Sequence, residues 1–439
     1  MSEQPLDAVA LTALSSAGRG DTAGLLAALQ RGASVDTADR SGHTLVYLAA
    51  FKGHTETVRA LAACGADVNT VDVDGWTAVF AAARNGHAET VRALAAYGAD
   101  VDTASKDGYT PVCLAAFKGH TETVRALAGF RADVNTGNHE GYTPVCLAAS
   151  QGHTETVLTL AECGADVNTA AHDVFTPVFI AAQNGHTETV RALAERGADV
   201  NTATNGGWTP VKIAALNGHT ETVRTLVNFD ANVDTADVDG FTPVYVAAQN
   251  GHTQTVRALV LECGADVNTA SCRGFTPVQA AAQGGHTETV WTLVRQCGAE
   301  LERRPRQRGP RSARRPRRAS EIAAERGHAT TAKVLRFLEA HEGAAPVHEE
   351  ANGTKRAGFE CPVCLEPELV ALALVPCGHQ VCRGCWEKIE SHATIESRAA
   401  RCPLCREDNV HGVDSAAFPD STPLHQRFCV EMPTGRGGI

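Results

Sequence analysis

Eight residues near the carboxyl end have the types and the spacing to bind metal. Cys361, Cys364, Cys377, His379, Cys382, Cys385, Cys402 and Cys405 follow the pattern C-x2-C-x12-C-x-H-x2-C-x2-C-x16-C-x2-C. Thiolate and imidazole suit zinc, and eight such ligands supply two tetrahedral sites. Four protein ligands on each ion leave no open position, so the expected metals, two Zn2+, are structural. A segment this short builds little core, and metal binding would contribute much of its folding energy. At this spacing a set of unpaired core thiols is a poor rival reading.

The other cysteines follow a different logic. Of 15 in the chain, Cys64, Cys113, Cys146, Cys163, Cys263, Cys272 and Cys297 are scattered without a pairing pattern, and Cys429 stands alone near the end. An odd count, a chain of 439 residues and a start without a basic and then apolar leader point to a reducing, cytoplasmic setting. The scattered thiols are expected to act as small buried hydrophobes. Net charge is −11. No apolar run approaches the ~20 residues of a membrane helix, so no transmembrane segment is expected.

The elements that precede the cluster are repeated. Gly-His recurs at Gly53-His54, Gly86-His87, Gly119-His120, Gly152-His153, Gly185-His186, Gly218-His219, Gly251-His252, Gly285-His286 and Gly327-His328. Six steps are 33 residues long, one is 34 and the last is 42. A degenerate first copy at Gly20-Asp21 brings the count to about ten units. In the unit from Asp237 to Ala270, Asp-x-x-Gly marks a turn and Thr242-Pro243 opens a helix as N-cap and first residue. Gly251 ends that helix. Val256, Leu259 and Val260 give a second helix its buried face, and Gly264 ends it. The repeating histidines are expected to be structural, since copies on separate repeats lie ~10 Å apart, too far to share a metal.

Two features vary on this frame. The residue before the helix-opening Thr is His43 and then Trp76, Tyr109, Tyr142, Phe175, Trp208, Phe241 and Phe275. A run of aromatics is a candidate substrate-binding stripe; the alternative is that each ring covers its neighbouring turn and closes the stack. Lys52, Asn85, Lys118, Gln151, Asn184, Asn217 and Asn250, at the end of the first helix, read as a solvated face. The long step holds RRPRQRGPRSARRPRR, residues 303–318, with nine arginines and no acid. Its prolines argue for an exposed loop. Nuclear import, a polyanion contact, a clamp on the acidic scaffold and a tolerated insertion all remain open for it. The lack of interleaved aromatics argues against nucleic acid as a partner.

The repeat resembles the ankyrin repeat, with its Thr-Pro-Leu-His-x-Ala-Ala segment and Gly-Ala-Asp-Val-Asn close. The resemblance spans residues 6–341, with 6–38 and 319–341 as caps. It implies a mostly α solenoid of β-turn fingers and antiparallel helix pairs, with the aromatic column on the finger side of a concave binding face. The family's His position holds Tyr47, Phe80, Cys113, Cys146, Phe179, Lys212, Tyr245 and Gln279, so the hydrogen bonds of that His are expected to be absent. Arg131 and Asp230 replace the Gly that ends the second helix, and an altered cap is expected near Arg131.

After a linker at 342–357, residues 358–408 resemble the RING finger of the C3HC4 type, followed by a tail at 409–439 expected to be disordered. The resemblance implies a cross-brace. One zinc takes Cys361, Cys364, Cys382 and Cys385, the other Cys377, His379, Cys402 and Cys405. It further implies an E3 ubiquitin ligase whose partners are a ubiquitin-charged conjugating enzyme (E2), ubiquitin and an unidentified protein substrate. The contacts with E2 and ubiquitin map onto Val363, Ile389, Pro403 and Arg406, and no covalent intermediate forms on the RING. Two other readings are a non-enzymatic adaptor scaffold and a nucleic-acid-associated regulator acting through the arginine tract.

Overall fold

The computed structural model describes residues 8–301 and 317–340. These form ten helix pairs. The first four pairs are α1 (Ala8–Arg19) with α2 (Thr22–Gln30), α3 (Leu45–Phe51) with α4 (Thr55–Ala63), α5 (Ala78–Arg84) with α6 (Ala88–Ala96), and α7 (Pro111–Phe117) with α8 (Thr121–Gly129). Next come α9 (Pro144–Ser150) with α10 (Thr154–Glu162), α11 (Pro177–Gln183) with α12 (Thr187–Glu195), and α13 (Pro210–Leu216) with α14 (Thr220–Asn228). The last three are α15 (Pro243–Gln249) with α16 (Thr253–Arg257), α17 (Pro277–Gly284) with α18 (Thr287–Trp291), and α19 (Ala319–Glu325) with α20 (Ala329–Ala340). Each first helix packs on the first helix of the next unit, and the second helices do likewise, giving two layers.

Local chemistry sets the ends. The side chain of Thr44, Thr77, Thr110, Thr143, Thr176, Thr242 or Thr276 accepts the N–H three residues on, satisfying one orphan donor at each helix start. In repeats two to nine the pair Val and Leu on the second helix, such as Val91 and Leu94, is fully buried. Fingers are linked one to the next by backbone hydrogen bonds, for example Lys106 N–H to Asp74 carbonyl at 3.2 Å and His139 N–H to Asp107 carbonyl at 3.3 Å.

The 34-residue step has a structural origin. Helix α16 runs on as a π-helical turn at Ala258–Glu262, and α18 does the same at Thr292–Gln296. Each of these second helices holds one residue more than its counterparts, absorbed as a bulge while Val256, Leu259, Val290 and Leu293 keep their buried places.

Two turns depart from expectation. The cap at Arg131 is unaltered: its φ is 68°, its N–H bonds the Ala128 carbonyl at 2.9 Å, and Ala132 N–H bonds Leu127 at 3.1 Å, as Gly98 and Ala99 do one unit earlier. A Cβ at the matching Gly65, Gly98, Gly164 or Gly197 would meet open space, so the cost of Arg131 is confined to its backbone. The sixth finger has Val174 where other fingers have Gly, and Val174 (φ 65°) follows Asp173 (φ 59°) in the left-handed region. A β-branched residue there is strained.

Candidate functional site

The array is bound together by ladders that repeat at most joints. Nε2 of His87 bonds the Phe51 carbonyl at 3.2 Å, and His120, His186, His219, His252 and His286 make the same contact with Arg84, Ser150, Gln183, Leu216 and Gln249. A Cβ on Gly53 would lie 2.6 Å from Nδ1 of His87. That Gly therefore supplies both a positive φ and the space for the next unit's ring. Burial lowers the pKa of His120, His252 and His286, and the carbonyl contact opposes it. These are satisfied structural histidines. Among the described residues no group of three or more His, Cys, Asp or Glu could hold a metal.

A second ladder joins hydroxyls. Thr55–Thr90, Thr121–Thr156, Thr154–Thr189, Thr187–Thr222 and Thr220–Thr255 meet at 2.8 Å across adjacent second helices. It breaks where Ala88 replaces Thr, and the buried Thr123 hydroxyl there has no partner.

Part of the expected solvated face is a third ladder. The side-chain amides of Asn184, Asn217 and Asn250 donate to the carbonyls of Ser150, Gln183 and Leu216 at 3.0, 2.8 and 3.0 Å. Those carbonyls are the ones their histidines also use. Asn85 instead bonds within its own helix, to Ala81. Lys52, Lys118 and Gln151 do remain exposed. The signal in the sequence was Asn at a fixed offset from the Gly-His pair.

The aromatic column is half-buried at Trp76, Tyr142, Phe175, Trp208, Phe241 and Phe275, and Tyr109 is buried. Several of its rings stack on the residue four later: Trp76 on Phe80 at 5.1 Å, Phe175 on Phe179 at 5.3 Å and Phe241 on Tyr245 at 4.6 Å. Each such ring therefore has one face against its own unit. Tyr47 stacks between His43 and Phe51. Burial and then the Asp72 carboxylate raise its pKa, while Arg84 of the next unit opposes them.

The family's His position is also less empty of hydrogen bonds than expected. Cys113 and Cys146 donate weakly to the Thr136 and Thr169 carbonyls at 3.6 and 3.7 Å. Lys212 is fully buried, pairs with Asp237 at 3.1 Å, reaches the Phe241 carbonyl at 3.1 Å and lies 4.8 Å from the Trp208 ring centre. Burial lowers its pKa, and Asp237 opposes that. The long stem and ammonium reach the acceptors of the next finger.

Only two of the scattered thiols are buried hydrophobes. Cys113 and Cys146 are buried, and burial raises both pKa values, that of Cys146 to about 11. Cys163, Cys263 and Cys297 are half-buried and Cys64 and Cys272 exposed. Four of these five, all but Cys272, cap second helices, where the chain turns outward. Cys272 lies on a finger.

The zinc-ligand set Cys361, Cys364, Cys377, His379, Cys382, Cys385, Cys402 and Cys405, the contacts Val363, Ile389, Pro403 and Arg406, and most of the arginine tract lie outside the described residues. The donor set of seven thiols and one imidazole, mostly in C-x2-C pairs, fits structural zinc. Arg317 and Arg318, which close the tract, are described: Arg317 pairs with Glu325 at 2.7 Å, and the Arg318 N–H bonds Glu321 at 3.0 Å. No helix among the described residues is long and apolar enough to cross a membrane.

Comparison with known proteins gives two family matches. The model for ankyrin repeats (three copies) matches residues 12–105, 97–171, 170–237 and 228–305. That for the zinc finger, C3HC4 type (RING finger), matches 357–411. Similar proteins include the E3 ubiquitin-protein ligase rnf168 of Danio rerio, 40% identical over 62 residues, or 14% of this chain and 12% of that protein. The E3 ubiquitin-protein ligase TRIM47 of Homo sapiens is 37% identical over 73 residues, 16% of this chain and 10% of that one. The DNA repair protein rad5 of Emericella nidulans is 32% identical over 89 residues, 19% of this chain and 7% of that one. The chain thus spans about a tenth of each relative's length. A crystal structure of the human ASB11 ankyrin repeat domain superposes with a TM-score of 0.46 at 24% identity, covering 52% of this chain and 99% of that one.

Proposed function

From a chain that belongs to the ankyrin-repeat family and carries a C-terminal C3HC4 RING finger, we infer a RING-type E3 ubiquitin-protein ligase. The repeat array recruits a protein, and the RING holds a ubiquitin-charged E2 so that ubiquitin passes to the recruited protein's lysine. The observation that carries this reading is the run of eight ligand residues at RING spacing within 357–411. Likeness to two E3 ubiquitin-protein ligases over short segments supports it.

Bound zinc supplies structural cross-links and no reactive group. The seven cysteines are spent as ligands, so the RING forms no thioester of its own. Its contribution is positional and electrostatic. Val363, Ile389 and Pro403 provide an apolar seat for the E2. Arg406, directly after the last ligand, bridges E2 and ubiquitin with its planar fork of donors.

The test is a reconstituted reaction with activating enzyme, a panel of E2 enzymes, ubiquitin and ATP. Chain formation is expected, and Cys361→Ser should abolish it by unfolding a zinc site. Arg406→Ala should slow transfer about tenfold or more while zinc content stays the same, because it removes hydrogen bonds to charged or polar partners. A zinc-loaded protein that is silent with every E2 would overturn the ligase reading in favour of a non-enzymatic adaptor.

A further inference from the structure

Two sets of cations in the array make different contacts. On the second-helix layer, Arg59, Arg92, Arg125, Arg191 and Arg224 each pair with a Glu three residues earlier. On the first-helix layer, Lys52, Arg84 and Lys118 occupy consecutive repeats, at the ends of α3, α5 and α7. None of the three forms an ion pair with a carboxylate among the described residues. Each lies instead over an aromatic ring: Lys52 over Phe51 at 5.3 Å, Arg84 over Trp76 at 4.9 Å and Lys118 over Phe117 at 5.3 Å. Arg84 also acts electrostatically, as do Asp72, Asp39 and Asp74, on the buried Tyr47 of the preceding repeat, whose ring stacks on Phe51. Lys52 and Lys118 share one column, which holds Asn85 in the third repeat and amides beyond the fourth, several of them engaged in the carbonyl ladder; Arg84 stands one position before Asn85.

We propose that the first-helix face of repeats two to four docks an extended acidic segment of a partner protein, with carboxylates on Lys52, Arg84 and Lys118 and apolar side chains between them on Phe51, Trp76 and Phe117. This rests on the reading that the array recruits a protein, and it names the kind of segment recruited. Charge complementarity selects the occupant: three ring-backed cations with no carboxylate partner among the described residues stand in consecutive repeats on a chain of net charge −11. Helices packed side by side lie ~8–10 Å apart. A polyproline-type chain advances ~9 Å per three-residue turn, so a carboxylate at every third residue meets one cation per repeat. A long nucleic-acid strand suits the face less well. Three cations neutralise few phosphates, and the overall charge repels the rest.

The experiment uses the full chain and a fluorescein-labelled peptide of four Glu-Leu-Pro triplets, read by fluorescence anisotropy. Binding should weaken as salt rises, and the peptide with Gln in place of Glu should bind far less. The triple variant Lys52→Gln, Arg84→Gln, Lys118→Gln should lose about tenfold in affinity, three modest charge contacts together. A charge-matched triple on the other layer, Arg59→Gln, Arg92→Gln, Arg125→Gln, should bind like the unaltered protein, as should a chain lacking 303–316. Far-UV circular dichroism melts check that each variant is folded. Equal loss in both triples, or no loss in the first, overturns the proposal. So does dependence on 303–316, which would place the peptide on the arginine tract. So does a twelve-nucleotide oligo-dT that binds the same face more tightly than the peptide. The assay contains no E2, so an active ligase that ignores the peptide sinks only this proposal. A peptide-binding protein without ligase activity sinks only the ligase reading.

Discussion

At the scale of single residues, the array's regularity makes its exceptions informative. Ala88 leaves the Thr123 hydroxyl buried and unpartnered, whereas the equivalent position in the repeats on either side supplies a threonine. Ala88→Thr should rebuild that rung and stabilise the array by about 1 kcal/mol, measured by urea unfolding followed at 222 nm. An unchanged midpoint would mean that water already serves Thr123. Val174 forces a β-branched side chain into the left-handed region that Gly occupies in the other fingers. Val174→Gly should therefore raise stability by about 1–2 kcal/mol in the same assay, with the strain relieved outweighing the added entropy of the unfolded chain. These exceptions could be found as letters in the sequence, but their cost could not. Arg131 shows why: it sits where Gly usually does, and the cap forms all the same, because its side chain meets open space and the burial of Ala132 beyond it holds the turn.

At the scale of elements, the period, the Thr-Pro starts and the Gly stops made the helix pairs legible, because each repeats a local rule at a fixed offset. The bulges were harder to read. A step of 34 announces one extra residue but not where it goes, since loop and helix can both absorb it. Packing decided in favour of the helix: Leu259 and Ala265 must both stay buried on either side of the extra residue. Leu261 is exposed in that turn. Deleting it should convert Ala258–Glu262 to regular α-helix and slow amide exchange there, without lowering the melting temperature. A large drop would show that the bulge is needed for the joint to the ninth repeat. The acceptors used by the amide ladder and the Lys212–Asp237 pair were equally hidden, because both join residues a repeat apart and depend on which way a side chain leans.

At the scale of the whole molecule, the site was legible in unequal parts. The eight zinc-ligand positions could be read directly, since coordination chemistry constrains type and spacing together. The aromatic column could be read as a row of residue types but not as half-buried rings, because exposure depends on what each ring leans against. The histidine ladder gives the array a pH response of its own. His120, His252 and His286 have folded pKa values below their ordinary 6.5. Above that pH both the folded and the unfolded chain hold them neutral, and stability is flat. As pH falls below it, the unfolded chain takes up protons that the folded chain refuses. Stability should then decline as pH falls, each such histidine adding to the slope. Urea midpoints between pH 7.5 and 5.5 check this; a midpoint that rises on acidification would contradict the burial of the rings.

The fit of each imidazole into the space beside the preceding glycine has one more consequence. Because most joints use the same two residues at the same offset, most boundaries are interchangeable. Excising Thr187–His219, a complete 33-residue period, would bring His252 against Gly185 instead of Gly218, and the new seam would repeat the old one. A gene built this way can lengthen or shorten by whole units through unequal recombination. The reach of its protein can thus drift over generations while every internal junction stays familiar.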